Sequence, residues 1–251
     1  MRKLYLRAYA LAALCVSVSA SAAMLADFEM NDPANTRLPQ LQNDAPGGGK
    51  FSYGATNMLT DGNGLLVYTY GQGDAAGKKN CAYAPLAAEN SSGIYKLSFA
   101  IDSATLSYTN GSIQYMIADT NNNKIVSVQF IKNWNRLRLV MQDWNHVDNL
   151  TGAGTNSLPD KLYVEVTFDL DNDLADFSWT MGTQTGGYSS VSIGDYSAAR
   201  LRNLYQPTGM TGSDFIKVDY LKVESIPEPA ALALLGFFGG AILFLRRWTR
   251  M

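Results

Sequence analysis

The feature that most constrains this chain is a hydrophobic period of two that recurs along most of its length. Between Lys161 and Asp169, Leu162, Val164, Val166 and Phe168 alternate with Tyr163, Glu165, Thr167 and Asp169. That spacing puts every apolar side chain on one face of an extended strand and scatters them around a helix. The same alternation gives the faces Tyr95-Leu97-Phe99-Ile101, Ile113-Tyr115-Ile117, Val126-Val128-Phe130 and Leu137-Leu139-Met141. Further strands are predicted over Gly64–Tyr70, Asp176–Met181, Tyr188–Ile193 and Asp214–Glu224. Turn-forming clusters separate these runs: Asp61-Gly62-Asn63-Gly64, Thr109-Asn110-Gly111, Asn121-Asn122-Asn123, Asp171-Asn172-Asp173 and Gly186-Gly187. Pro39–Gly49 is predicted to be a loop. Many short strands with Asn/Gly turns and no long amphipathic helix predict an all-β chain folded as an antiparallel β-sandwich.

The two ends depart from this pattern. Arg2, Lys3 and Arg7 precede the apolar stretch Ala8–Val18 and the small-residue run Ala20-Ser21-Ala22, the order of a secretory signal peptide over residues 1–22. Cys15 follows Leu14, which is too large for the small residue expected before a lipidated cysteine. At the other end, Pro227-Glu228-Pro229 closes a short linker, 225–229, and introduces the apolar run Ala230–Leu245, followed by Arg246, Arg247, Trp248 and Arg250. As a helix this run is just long enough to cross a bilayer, and the arginines behind it place the C-terminus in the cytoplasm and the preceding chain outside. Pro-Glu-Pro, apolar helix and Arg-Arg in that order resemble the PEP-CTERM sorting signal of Gram-negative bacteria, over residues 225–251. The resemblance implies recognition and cleavage by an exosortase-type membrane protease, an inner-membrane intermediate, and delivery to the cell surface or the exopolysaccharide matrix.

The ectodomain left between these signals spans residues 23–224, about 200 residues and enough for one sizeable core. Segments 1–22 and 230–251 carry six of the 20 basic residues and none of the 22 acidic ones, so residues 23–229 keep 14 against 22, a net charge near −8. Such a surface repels phosphate backbones, and no basic stripe interleaved with aromatics is present, so no nucleic-acid partner is expected. Cys81 alone remains, which excludes an internal disulfide and is expected to be a small buried hydrophobe.

The opening Leu25-Ala26-Asp27-Phe28-Glu29, the central Leu162–Leu170 strand running into an acidic turn, and the closing Phe215–Val223 strand resemble the concanavalin A-like, or laminin G-like, jelly-roll domains. That resemblance implies a jelly roll over the ectodomain. Because the family includes lectins, carbohydrate-binding modules and glycoside hydrolases, it does not choose a function.

The residues argue against catalysis. Glycoside hydrolysis needs two carboxyl groups about 5–9.5 Å apart, and no Glu-x-Asp-x-Glu strand is present to supply them. Glu165 and Asp169 share a face but stand about 13 Å apart along an extended strand, and Asp169, Asp171 and Asp173 fit a solvated turn. His146 is the single histidine, in a segment expected to be a loop, and no Gly-x-Ser-x-Gly elbow exists to partner it. Some laminin G-like domains hold calcium near a rim, so Asp169, Asp171 and Asp173 are the candidate ligands for that hard cation, although they lack the glycine and bidentate glutamate of an EF-hand.

A binding site is better supported, around Asn133–Asn145. If Arg136–Gln142 is a strand with Leu137, Leu139 and Met141 turned inward, parity places Trp134, Arg136, Arg138, Gln142 and Trp144 on the other face. Indole planes stack on the CH-rich side of a sugar, while guanidinium and amide groups bond its hydroxyls or clamp a uronate carboxylate. Fully extended, the two tryptophans stand about 33 Å apart, too far for one sugar. The alternative is that both fold over the strand ends as packing residues and that the arginines are an ordinary solvated face. The leading function class is a non-catalytic carbohydrate-binding sandwich with an extracellular polysaccharide as partner. A structural matrix or adhesion protein is the alternative, and a hydrolase or lyase a distant third.

Overall fold

The computed structural model describes residues 22–52, 58–69, 80–107, 111–142, 144–206 and 210–227. The alternating runs become strands: β1 (Met24–Phe28), β2 (Met58–Thr60), β3 (Leu66–Thr69), β4 (Asn80–Asn90), β5 (Ile94–Thr105), β6 (Ser112–Ala118), β7 (Lys124–Asn133), β8 (Arg136–Met141), β9 (His146–Asn149), β10 (Leu162–Asp169), β11 (Leu174–Met181), β12 (Gln184–Ser192), β13 (Ala198–Gln206) and β14 (Phe215–Ile226). They pair into an eight-stranded sheet, ordered β12-β11-β10-β5-β14-β3-β2 with β1 also on β14, and a six-stranded sheet, ordered β4-β13-β6-β7-β8-β9. Met24–Ser225 forms one compact unit.

Register follows the apolar alternation, because a one-residue slip would turn every core side chain to solvent. Leu162, Val164, Val166 and Phe168 of β10 pair with Met181, Trp179, Phe177 and Ala175 of β11, and all are buried. From the six-stranded sheet, Ile113, Tyr115 and Ile117 meet them beside Val126, Val128, Phe130, Leu137, Leu139 and Met141 in one core. Full burial of each such side chain contributes about 1.5–3 kcal/mol. The core also contains a polar bridge between the sheets. The Tyr68 hydroxyl of β3 lies 3.2 Å from that of Tyr115 in β6 and accepts a hydrogen bond from Asn203 of β13. Burial pushes both phenols well above their ordinary range, so they stay neutral and hydrogen-bonded.

A second link closes the sandwich edge where β9 faces β12. Trp179 Nε1 donates to Asp148 Oδ2 at 2.6 Å, and the Tyr188 hydroxyl donates to Asp148 Oδ1 at 3.0 Å. His146 opens β9 rather than sitting in a loop, and its ring packs on Tyr188 with centroids 4.5 Å apart. The lone histidine is therefore a seam residue.

Other departures from the sequence reading have local causes. Strands β4 and β13 do not announce themselves, since β4 is alanine-rich and contains Pro85, both depleted in strands. Its position at the sheet edge tolerates that proline. Gly186-Gly187 is not a turn but lies inside β12, opposite Trp179 and Ser178. A Cβ at Gly186 would fall 2.5 Å from Trp179 Nε1, and one at Gly187 would fall 2.0 Å from the Phe177 carbonyl oxygen. These glycines are there for close approach; the turn itself is at Gly182, with φ +58°. Cys81 is half-buried rather than buried, and its sulfur accepts from Arg202 Nη2 at 3.2 Å. A 3-10 turn, Leu38–Gln40, begins the segment expected to be loop. Ser225 and Ile226 extend β14 rather than starting a linker.

Among the described residues no helix is long and apolar enough to cross a membrane. Signal-peptide residues 1–21, Glu228, Pro229, the apolar run, Arg246 and Arg247 lie outside the described residues.

Candidate functional site

The two outward faces of the sandwich differ in chemistry. On the eight-stranded sheet, lysines meet carboxylates: Lys96 lies 2.6 Å from Glu224 and 3.7 Å from Glu165, Lys161 2.5 Å from Asp219, and Lys217 3.5 Å from Asp61, while Lys222 bonds Glu29. The hydrogen bond to Glu224 raises the Lys96 ammonium above its ordinary range, against a desolvation cost. Exposed pairs like these contribute little individually and make a solvated surface.

Among the described residues, no ion pair spans the outward face of β6, β7, β8, β9 and β13. Its cross-strand rows follow from the register: Arg202 opposes Met116, which opposes Ser127; Leu204 opposes Gln114, then Gln129 and Val140; Gln206 opposes Ser112, then Ile131 and Arg138. Met116, Ile131 and Val140 are buried there, outside the main core, as an apolar stripe beneath longer polar side chains. On this face of β6, β7, β8, β9 and β13 there is no aspartate or glutamate. Gln129 Nε2 donates to Ser112 Oγ at 2.9 Å. Gln114, Gln129 and Arg202 were not singled out from the sequence, because only the register places them beside Arg138.

The hairpin between β7 and β8 is the most informative local feature. Asn133 pairs with Arg136, leaving Trp134 and Asn135 as a two-residue turn with φ +50° and +61°. Two left-handed central residues define a type I′ turn, which suits the twist of the strands and favours Asn and Gly. A tryptophan there costs on the order of 1–2 kcal/mol relative to a right-handed position. No packing offsets that cost, since Trp134 is 81% exposed. Its ring lies 5.7 Å from the Arg138 guanidinium. The loop after β9 holds the tip in place: Gly154 N donates to the Asn135 carbonyl at 2.8 Å and Leu150 N to the Leu137 carbonyl at 2.9 Å. Beside it opens an uncharged pocket of about 430 Å³, lined by Asn149, Thr151, Thr155 and Gln184 among others.

The structure divides the five residues that parity put together. Trp134, Arg136 and Arg138 share the hairpin end. Gln142 does not join them. Its φ of +48° ends β8 one residue early and turns its side chain inward, where it is buried. There Gln142 Oε1 accepts from Ser127 N at 3.0 Å and Nε2 donates to the Ile125 carbonyl at 2.8 Å, continuing the β7 ladder with a side chain where the strand has turned away. Trp144, with φ +70° and 46% exposed, lies at the far end of β8, roughly 20 Å of strand from the hairpin. Packing over the strand ends therefore fails as an account of Trp134, whose ring is nearly free.

The acidic turn is committed to its own backbone. Asp169 Oδ1 accepts from Asp171 N at 2.9 Å and Asn172 N at 3.1 Å, and Oδ2 from Asn172 Nδ2 at 2.7 Å. These bonds, that to the Asn172 side chain first, hold the Asp169 carboxyl below the usual carboxylate range. Asp171 Oδ2 accepts from Gly93 N at 2.9 Å. Asp169, Asp171 and Asp173 do not converge, and among the described residues no group of three His, Cys, Asp or Glu could hold a metal ion. Glu165 is paired with Lys96 and is likewise apart from Asp169.

No protein-family model and no characterised sequence matches the chain. Solved structures do. A winged bean acidic lectin complexed with methyl-α-D-galactose superposes with a TM-score of 0.54 at 9% identity, over 83% of this chain and 100% of the lectin. A basic winged bean lectin with Tn-antigen gives 0.53 at 8% identity, over 82% and 99%. An endo-1,3-β-glucanase from Streptomyces sioyaensis gives 0.50 at 12% identity, over 84% and 99%. Lectin and glucanase alike share this architecture, so the likeness shows the fold, an all-β antiparallel sandwich.

Proposed function

We propose that this protein is an exported cell-surface or matrix component whose sandwich binds an extracellular polysaccharide without turning it over. The observation that carries the reading is Trp134, an almost fully exposed indole held at a left-handed turn position with Arg138 beside it. Strained exposed aromatics persist where a ligand uses them. The stacking plane, the guanidinium and the uncharged pocket beside the hairpin offer a sugar both an apolar surface and hydrogen bonds. A non-catalytic role is supported by the outward face of the six-stranded sheet, where the strands from β6 to β9 and β13 present no carboxylate pair for glycosidic cleavage. The lectin neighbours favour the same reading by analogy of fold. The signal peptide and the Pro-Glu-Pro, apolar, Arg-Arg tail make an exosortase-type membrane protease the processing partner, with the inner membrane as an intermediate station.

The test is a polysaccharide array probed with purified protein, wild type against Trp134→Ala, each checked by thermal unfolding. Saturable binding that Trp134→Ala weakens at least tenfold, with an unchanged thermal midpoint, is the expected result. A folded wild type that binds no polymer overturns the proposal in favour of a structural matrix role; sugar release from any polymer overturns its non-catalytic part.

A further inference from the structure

On the outward face of the six-stranded sheet, strands β6, β7, β8, β9 and β13 present arginines and no carboxylate, in a region, residues 23–229, whose net charge is near −8 from 14 basic and 22 acidic residues. Four side chains form a diagonal across it. Arg202 of β13 neighbours Gln114 of β6, Gln114 pairs with Gln129 of β7, and Gln129 neighbours Arg138 of β8. Three strand spacings and a four-residue offset put the two arginines about 20 Å apart, Cα to Cα. Neither arginine is in an ion pair among the described residues. Arg202 is met only by neutral acceptors, the Asn122 carbonyl at 3.1 Å and Cys81 Sγ, while Arg138 lies against Trp134. On the opposite sheet the corresponding cations are paired.

The same face also carries unmet hydrogen bonds. Ser127 Oγ, Arg138 Nε and Arg202 Nε are buried and have no hydrogen-bond partner among the described residues, and Ser127 as a whole is only 1% exposed. Ser127 stands in the row of Arg202, beyond Met116. A buried donor without a partner costs about 1–3 kcal/mol, and more when it belongs to a charged group. Three such atoms lie on one face, where β6, β7, β8, β9 and β13 present no carboxylate.

We propose that this face takes an acidic polysaccharide, a polymer bearing uronate or comparable carboxylate groups, with Arg202 and Arg138 each holding a charged unit. The inference rests on the carbohydrate-binding reading above and specifies its ligand class. Planar guanidinium matches carboxylate in a two-point hydrogen bond, and two such points about 20 Å apart demand a chain rather than a single sugar. Gln114 and Gln129 line the path between them as hydroxyl partners. The Met116, Ile131 and Val140 stripe beneath gives the ring faces an apolar floor.

Purified protein is titrated with polygalacturonate, with its fully methyl-esterified form, which keeps the backbone and removes the charge, and with a neutral glucan and galactan, at low and high salt. Wild type is compared with Arg138→Gln/Arg202→Gln and with Lys217→Gln on the opposite sheet. Expected is binding to the free acid that weakens at least tenfold on esterification, on raising salt, and in the double arginine variant, with Lys217→Gln unchanged. Equal affinity for acid and ester, or binding to neutral polymers alone, overturns this inference and leaves the carbohydrate-binding reading standing. Binding to no polysaccharide removes both. The ester comparison needs only wild-type protein, so it decides the matter even if the double variant misfolds.

Discussion

Replacing Trp134 with asparagine should leave the fold as stable as before or more so, although it deletes the most exposed large apolar side chain among the described residues. Trp134 occupies the first central position of a type I′ turn at φ +50°. A left-handed conformation costs an ordinary L-residue about 1–2 kcal/mol, and asparagine, which tolerates that region, recovers on the order of half of it. The variant loses the ring's contact with Arg138 at 5.7 Å, about 0.5 kcal/mol at an exposed site. With the side chain 81% exposed there is little buried area to lose. The balance is a stabilisation between about 0 and 0.5 kcal/mol, or a rise of roughly 0–2 °C in thermal midpoint for a domain of this size. A packed tryptophan would instead cost about 3–5 kcal/mol on truncation. Thermal and urea unfolding of the purified variant decide between them. A destabilisation above about 1 kcal/mol refutes the argument that this residue is retained at a conformational cost, and with it the main support for a ligand role.

Two further outcomes follow from buried polar groups. Gln142→Ala removes the hydrogen bonds to Ser127 N and the Ile125 carbonyl and strands both backbone groups, so urea unfolding should show a loss of about 2–4 kcal/mol; a loss under 1 kcal/mol would return Gln142 to the surface. Asp214 is 1% exposed; burial alone would raise its carboxyl, but hydrogen bonds from Ser107 and Thr211 outweigh burial and hold it below the usual carboxylate range. Because the unfolded chain then binds the proton more tightly, its contribution is complete above about pH 4 and disappears as pH falls through the lowered native value. Asp214→Asn should therefore be less stable at pH 7 and should lose less stability than wild type on acidification below pH 4, as read by unfolding midpoints across pH; parallel profiles would contradict the assignment.

Legibility from sequence tracked how local the determining interaction was. Strands β5, β6, β7, β8 and β10 were visible because each needs only its own alternating residues to define a buried face. Strands β4 and β13 were not, since alanine, proline and arginine there owe their strand state to partners more than 100 residues away in the chain, such as Cys81 opposite Leu204. The same holds for glycine: Gly186 and Gly187 resemble a turn until Trp179 and Phe177 of the paired strand occupy the space a Cβ would need.

The candidate site divides in the same way. The sequence by itself determined an all-β chain of alternating faces and selected Trp134, Arg136 and Arg138, because strand parity and side-chain chemistry are properties of adjacent residues. Tertiary structure alone decided that Gln142 points inward, where a left-handed backbone breaks the parity count, and that Trp144 stands apart from Trp134. It also decided that Arg202, Gln114 and Gln129 lie next to Arg138, since strand order and register bring together residues that no local pattern relates.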